Sequence, residues 1–498
     1  MSSGSKTSLR RLGRDTTLYT VSILLTRAVS FVMLPVYTRY LTPADYGVLQ
    51  MLDMAVDIAA ILLTAGVTSG TQKFYFAAQS DDERTEVIST AFVLDLLVSL
   101  VASLALAGSS GWISDSLLKG EGSALMVQLA AANFTLNMLS GIPLLLMRVR
   151  QEPGLAVAAS LAKVVLQVSF NIAFVVWLRL GPMGILLSTF CANLLVGMVL
   201  SAWLLRHVGI RLSRRIGKAL IKFGVPNQVS FAGSFIITFG DRFFLEQGHG
   251  LTVVGLYALA YQFGFLLGQV SAEPFLRAWE PQMFLLAKLP AAERDAQYNR
   301  SFFLFSVVLL TGAVGLALGT PVLLRLMTTS AYFGAASVVP VILLAYVLQS
   351  WMFLLKFGID FAGKPGLFTA ATWMSVVVTV VAYALLIPPY GMFGAAWATV
   401  IGFAVRLVAT YVFAQRLWPI QYRFGRIGAL VICAVVVVVG CQLTQADSLR
   451  DGLVVAVAGM TLYLLLAWRS VLQKEERALI ATVARNPRQA MKLLTRIS

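Results

Sequence analysis

The sequence has few charged residues, few cysteines and almost no histidine. Asp, Glu, Lys and Arg make up 12% of the 498 residues, whereas soluble domains carry about a quarter. The three cysteines lack the spacing of a disulfide framework or a zinc site. Residues 358–364 (GIDFAGK) have the spacing Gly-x-x-x-x-Gly-Lys, but Pro365 follows where a nucleotide-binding loop has Ser or Thr. We therefore expect neither a metal site nor a cofactor.

Long apolar runs take the place of the missing charge. Apolar residues make up 58% of the chain, and a membrane helix needs about 20 of them in succession. Backbone polar groups cannot stay unpaired in hydrocarbon, so these runs must be helices. The predicted fold class is all-α, a polytopic membrane protein with about 14 transmembrane helices. The predicted spans are 15–38, 46–74, 87–108, 123–147, 154–178, 183–205, 219–245, 252–283, 299–324, 334–360, 366–387, 392–414, 426–443 and 452–469.

The basic residues predict the orientation. Of the 39 Lys and Arg residues, 28 fall in the segments on the same side as the N-terminus and 5 in the opposite segments. Basic loops stay in the cytoplasm, so both termini are predicted to be cytoplasmic and the number of spans even. The net charge of +16 is spread over many segments, which argues against a nucleic-acid partner.

Two short patterns occur twice. Residues 153–159 (PGLAVAA) return 212 positions later as residues 365–371 (PGLFTAA). Gly181-x-x-Gly184 returns 210 positions later as Gly391-x-x-Gly394. Six spans separate the copies, so the repeat is parallel. Such repeats place a substrate path between two lobes that rock against each other, which favours transport over enzymatic chemistry.

The repeat predicts two pseudo-symmetric six-helix lobes followed by two C-terminal helices. The last two spans carry almost no polar residues, so we expect them to be peripheral and lipid-facing. The predicted segments are an N-lobe at 1–205, a basic cytoplasmic linker at 206–218, a C-lobe at 219–415, extra helices at 416–470 and a basic cytoplasmic tail at 471–498.

Four basic residues inside the spans are candidates for binding an anionic cargo. A charge at bilayer depth costs at least about 2.5–3.5 kcal/mol, and an arginine fork suits phosphate oxygens. Internal neutralisation is the alternative explanation, above all where Arg242 adjoins Asp241. The candidates for the diphosphate and sugar are Arg27, Lys163, Arg242 and Arg406.

Acidic residues inside the spans have other predicted roles. Asp53, Asp57 and Asp95 would bind a coupling cation or balance charge, with Arg27 or Arg39 as partners for the first two. Two i, i+4 pairs, Glu273 with Arg277 and Lys356 with Asp360, would act as gates or would only neutralise each other.

Three segments resemble the Wzx-type polysaccharide transporters of the MOP superfamily, which are related to the lipid II flippase and the MATE exporters. The segments are residues 34–47 (LPVYTRYLTPADYG), 241–245 (DRFFL) and 255–258 (GLYA). Many Wzx proteins have twelve spans, whereas this chain has fourteen predicted ones, as in the lipid II flippase. The extra pair would border a lipid-tail groove or be decoration.

The resemblance implies a flippase of the bacterial inner membrane and not an enzyme. It would carry an undecaprenyl-diphosphate-linked oligosaccharide from the cytoplasmic to the periplasmic leaflet by alternating access, for exopolysaccharide, capsule or O-antigen synthesis. A gradient of Na⁺ or H⁺, or the membrane potential, would supply the energy. Membrane lipids and polysaccharide polymerase and co-polymerase proteins would be its partners.

Three alternatives remain open at this stage. A cation-coupled MATE-like drug exporter should have a path dominated by acids and aromatics, whereas the basic residues here favour an anionic cargo. A lipid II flippase is the second alternative. A membrane-bound polysaccharide enzyme is the third, although the longest predicted outer loop, 108–122, holds no catalytic constellation.

Overall fold

The computed structural model describes residues 33–63, 66–119, 121–444, 448–471 and 477. Within these ranges the chain is helical, with short π and 3₁₀ segments and no strand. The chain divides into two compact units, Met1–Leu256 and Tyr257–Ser498. This division falls inside the predicted eighth span, and the predicted lobe boundaries stay a prediction.

The first unit follows a short helical stretch at 33–40. Its helices are α1 Pro43–Leu63, α2 Val67–Ala77, α3 Asp81–Gly108, α4 Ser110–Leu117, α5 Ala124–Val149, α6 Pro153–Asn171, α7 Gly181–Val208, α8 Arg214–Phe239 and α9 Asp241–His249. A π-helical segment, Ile172–Trp177, continues α6, and α10 (Leu251–Leu267) begins in this unit.

The second unit contains most of α10, the π segment Gly268–Ala272 and the helices that follow. They are α11 Glu273–Leu286, α12 Ala291–Met327, α13 Val339–Leu355, α14 Phe357–Phe361, α15 Pro365–Leu417, α16 Gly425–Gln442 and α17 Leu449–Leu466. A 3₁₀ segment, Ser330–Ser337, separates α12 from α13, and a π segment, Ala467–Val471, ends the described helices.

Serine caps set several helix starts. Ser80 Oγ accepts a hydrogen bond from the Glu83 amide at 3.1 Å, and the Glu83 carboxylate accepts one from the Gln79 amide. These two bonds satisfy amides that the helix itself cannot pair. Ser123, Ser213 and Ser448 cap α5, α8 and α17 in the same way.

Ten described helices are long and apolar enough to cross a membrane. One of them, α15, has 53 residues and covers two predicted spans, 366–387 and 392–414. Its backbone leaves the helical region between these spans, at Gly391 (φ 54°, ψ −128°). The protein is therefore a multi-pass membrane protein. The total of fourteen spans stays a prediction, since most of the first span, 15–38, lies outside the described residues.

Three sequence-based boundaries were wrong. The predicted span 46–74 is two helices, because Gly66 adopts a left-handed conformation (φ 63°) between α1 and α2. The predicted span 219–245 ends at Phe239 and is followed by the separate short helix α9. The predicted loop 108–122 contains the helix α4. In the first two cases the apolar pattern continues across a turn that hydropathy does not register, whereas α4 is short and half polar and so gives no hydropathy signal.

The last two long helices pack only lightly on their unit. Within the most apolar stretch of 18 residues, 22% is buried in α16 and in α17, against 50% in α12. Their buried side chains Ala434, Val437 and Tyr463 form one cluster with Val314 and Leu318 of α12. Their outer faces expose valine and leucine, which fits the predicted lipid-facing position.

Both copies of the sequence repeat adopt the same local structure. The chain takes a positive φ at Gln151 (59°) and again 212 positions later at Gly363 (63°), just before the prolines that begin α6 and α15. Equivalent amides donate to equivalent carbonyls: Gln151 N donates to Arg148 O and Gly363 N to Asp360 O, both at 3.1 Å. Two helix ends with the same hydrogen bonds support a duplicated unit.

The repeat offset changes at one place for a structural reason. It is 212 at the start of the first pattern and 210 at Gly181 and Gly391, where φ is 57° and 54°. The two additional residues of the first copy lie in the stretch that contains the π segment Ile172–Trp177, and a π turn accommodates an inserted residue. Positions before that segment are therefore related by 212.

The repeat glycines generate a prediction about stability. A Cβ at Gly394 would lie 2.0 Å from Leu386 O, whereas a Cβ at Gly428 would meet nothing within 4 Å. We expect Gly394→Ala to lower the free energy of unfolding by about 1–3 kcal/mol and Gly428→Ala to leave it unchanged or higher. Thermal unfolding in detergent, followed by fluorescence-detected gel filtration, measures both. Equal melting temperatures for the two variants would contradict the close packing at Gly394.

Candidate functional site

The acidic candidates of the first unit differ in burial. Asp53 and Asp57 lie one turn apart on α1, and both side chains are exposed in this unit. Neither forms an ion pair with Arg39 or with any other described residue, and Arg27 lies outside the described residues. Asp95 on α3 is only 3% exposed, and its Oδ2 accepts no hydrogen bond within the described part of the chain. Their coupling or charge-balancing roles stay predictions.

The helix α9 carries three completely buried charges, at Asp241, Arg242 and Glu246. Arg242 Nη1 donates to Thr238 O at 3.0 Å and lies 3.2 Å from Asp241 Oδ1. The guanidinium also lies 4.7 Å from the ring centroid of Phe239. The neutralisation that the adjacent acid suggested is therefore present. A role of Arg242 in substrate binding stays a prediction.

Glu246 has a partner that sequence reasoning did not identify. Lys119, in the turn after α4, places Nζ 2.8 Å from Glu246 Oε1 and 3.3 Å from Glu246 O. Lys119 holds a positive φ of 44°, which is rare outside glycine. The two residues are 127 positions apart, so no spacing in the sequence could have paired them. This bond fastens the turn before α5 to the buried end of α9.

Lys163 lies on α6 with its side chain half-buried. Its Nζ donates to Asn137 Oδ1 on α5 at 2.8 Å. The ammonium is thus held by a neutral amide, and no ion pair with a described carboxylate forms within 4.0 Å. An uncompensated positive charge at this place could attract an anion.

The two predicted i, i+4 pairs of the second unit both form. Arg277 Nη2 lies 2.9 Å from Glu273 Oε1, and both side chains are at least half-exposed. Lys356 Nζ lies 3.0 Å from Asp360 Oδ2, and about a quarter of each side chain is exposed. Lys356 is the turn between α13 and α14, so this pair bridges a break and not one continuous helix face. A role of either pair as a gate stays a prediction.

Arg406 and Lys356 both lie close to one aromatic ring. Arg406, only 3% exposed on the second half of α15, has its guanidinium carbon 4.9 Å from the centroid of Phe368. Lys356 Nζ is 5.6 Å from the same centroid. Phe368 lies one turn after the proline that begins α15. The stretch 356–368 and the second half of α15 therefore assemble two cations, one acid and one ring, a grouping that sequence reasoning missed.

The family comparison covers the first half of the chain. Residues 12–286 match the model of a family described as "Polysaccharide biosynthesis protein". The probable low-salt glycan biosynthesis flippase Agl15 of Haloferax volcanii is 23% identical over 258 residues, which are 49% of this chain and 52% of that protein. The chain spans about half the length of the curated relatives it matches.

Solved structures resemble nearly the whole chain. The lipid II flippase MurJ in an inward closed conformation has a TM-score of 0.69 at 12% identity, over 91% of this chain and 98% of that one. An inward-facing multidrug resistance MATE family transporter of the MOP superfamily has a TM-score of 0.62 at 15% identity, over 87% of this chain and 100% of that one. The chain therefore has the MurJ/MATE fold of the MOP superfamily.

The buried bond of α9 generates the next prediction. Lys119→Met removes the partner of a buried carboxylate, and we expect a loss of about 1–3 kcal/mol in the free energy of unfolding. The matched control, Arg277→Met, breaks an exposed pair and should cost about 0–1 kcal/mol. Urea unfolding in mild detergent compares them. Glu246→Gln added to Lys119→Met should recover part of the loss, and a further loss would contradict the pairing.

Proposed function

This chain belongs to the polysaccharide biosynthesis protein family, and from that premise we propose that it is a flippase for a lipid-linked oligosaccharide. The cargo is a glycan on undecaprenyl diphosphate, carried from the cytoplasmic to the periplasmic leaflet of a bacterial inner membrane. The MurJ/MATE fold and the glycan-flippase relative support this proposal. The protein works as a transporter, forming no covalent bond with its cargo.

One observation carries the proposal of an anionic cargo. Arg406 is almost completely buried on α15, and its guanidinium carbon and the ammonium of Lys356 lie 4.9 Å and 5.6 Å from the centroid of Phe368. A buried arginine in a membrane protein is costly and marks a path for substrate or ions. The arginine fork can bind two phosphate oxygens at once, and Lys356 adds a second positive charge. A drug exporter for organic cations has no use for this pair.

The carboxylate of Asp360 favours release of the cargo after it has bound. This carboxylate already neutralises Lys356 at 3.0 Å. A diphosphate that binds Lys356 therefore displaces the carboxylate of Asp360. When the cargo leaves, this carboxylate pairs with Lys356 again, so that the ammonium keeps a counter-ion. Transport requires binding that is reversible, and an internal competitor lowers the affinity for the cargo.

The remaining parts of the proposal follow from the charge distribution. The excess of basic residues on one side supports cytoplasmic termini. Asp53, Asp57 and Asp95 are the proposed sites of coupling to Na⁺ or H⁺, because all three lie inside predicted spans and none forms an ion pair with a described residue. Membrane lipids surround the transporter, and polysaccharide polymerase and co-polymerase proteins are its proposed partners.

The central test is flipping in liposomes. Purified protein is reconstituted with a fluorescent undecaprenyl-diphosphate oligosaccharide, and dithionite quenching reports its movement between leaflets. We expect Arg406→Ala to reduce the rate at least about tenfold, and Arg406→Lys to restore only part, because lysine cannot bind bidentately. The control Arg416→Ala removes an exposed cation in the last turn of the same helix and should keep the wild-type rate.

Gel filtration and melting temperature must show that each variant is folded. Movement that does not depend on the wild-type protein contradicts the proposed function. Movement unaffected by Arg406→Ala contradicts the assigned site. Transport of a cationic dye in place of the lipid would support the MATE-like alternative.

The exchange at Asp360 is tested by binding. Asp360→Asn leaves Lys356 without its internal anion, so we expect undecaprenyl diphosphate to bind several-fold more tightly. Glu273→Gln, which removes the acid of the other i, i+4 pair, serves as the control and should leave the affinity unchanged. Intrinsic fluorescence titration in detergent measures both. Weaker binding to Asp360→Asn would show that Asp360 organises the site instead of competing for it.

A further inference from the structure

Three polar residues share one face of α6. Lys163, Gln167 and Asn171 are four residues apart and therefore extend about 12 Å along the helix. Each donates a hydrogen bond to a different helix. The acceptors are Asn137 Oδ1 at 2.8 Å, Thr189 Oγ1 at 3.0 Å and Tyr37 Oη at 2.7 Å. We call these six residues the polar ladder.

The polar ladder runs from an accessible end to a buried end. Asn137 is exposed, Lys163 and Gln167 are half-buried, and Asn171 is only 1% exposed. Asn171 Oδ1 accepts no hydrogen bond from the described residues, so a buried acceptor remains available. A buried acceptor without a donor is costly, and a ligand hydroxyl would satisfy it.

The opposite face of α6 is apolar and exposed. Leu155, Ala162 and Val165 are exposed there, and these side chains suit contact with lipid. The amides and the ammonium point instead toward α5, α7 and the stretch 33–40, through their hydrogen bonds. The helix thus separates an apolar face from a hydrogen-bonding one.

The second copy of the repeat provides an internal comparison. The positions 212 residues later are Ser375, Thr379 and Tyr383, and all three are completely buried. Ser375 Oγ donates to Gly402 O at 2.6 Å, and Thr379 Oγ1 donates to Ser375 O of its own helix at 2.7 Å. Packing this helix in its unit therefore requires neither a side-chain amide nor a charge at these positions. The first copy carries both, which packing alone does not explain.

We propose that the polar ladder binds the sugar part of the cargo. Sugars present hydroxyl groups that both donate and accept, and the amides of Asn137, Gln167 and Asn171 together with the hydroxyls of Thr189 and Tyr37 can do the same. The neutral groups read hydroxyls, and Lys163 attracts the charged end of the headgroup. This inference rests on the proposed flippase function and names the part of the cargo that the first unit recognises.

The test separates sugar recognition from diphosphate recognition. The full-length protein is purified from membranes of its own host, and the co-purifying prenyl-diphosphate lipids are quantified by mass spectrometry. The same preparations are titrated with sugar-free undecaprenyl diphosphate. We expect Gln167→Leu to lower the co-purified glycan lipid about tenfold and to change the affinity for the sugar-free lipid by less than about twofold. Tyr37→Phe should act in the same direction.

Matched variants exclude a purely structural effect. Thr379→Val changes the position equivalent to Gln167 in the second copy and should leave both measurements unchanged. Arg406→Ala should weaken the binding of both lipids. If Gln167→Leu lowers both lipids equally, or neither, the polar ladder only holds helices together and the inference is overturned. If the wild-type protein binds neither lipid, the proposed function itself fails, and the inference fails with it.

Discussion

The low dielectric of the bilayer is the constraint on which the rest of the structure depends. It requires every backbone amide and carbonyl to be paired within the chain, which only helices achieve here. It also makes each buried charge costly, so the few charges that remain have partners or carry function. Arg242 with Asp241, and Lys119 with Glu246, show the first outcome. Arg406 beside Phe368 and Lys356 shows a grouping of cations that invites an anion.

The two copies of the repeat have a similar backbone and different side chains. The turn before α6 and the turn before α15 have the same hydrogen bonds and the same positive φ, so the backbone of the repeat is retained. The side chains have diverged. Lys163, Gln167 and Asn171 of α6 correspond to Ser375, Thr379 and Tyr383 of α15, whose hydroxyl-bearing side chains are completely buried. A duplicated scaffold thus allows the two copies to carry different side chains on a similar backbone.

Much of the fold could be predicted, since its main signals are local. Hydropathy located the long helices to within a few residues at Ala124–Val149 and Gly425–Gln442. The break at Gly66 escaped, because a turn between two apolar helices leaves hydropathy unchanged, whereas the break at Gly391 falls between the predicted spans 366–387 and 392–414. The i, i+4 pairs were found because helix geometry places such residues together. The pair of Lys119 and Glu246 was not, because 127 residues separate them.

By itself, the sequence determined that this chain is a helical membrane protein with a parallel internal repeat and a basic side. These properties follow from composition, local periodicity and the cost of moving charge across a bilayer, and all are written along the chain. Only the tertiary structure decided which charges are buried, which have partners, and that Lys356 and Arg406 both approach the ring of Phe368. The reason is that burial and side-chain contacts depend on how distant helices pack, which no local pattern encodes.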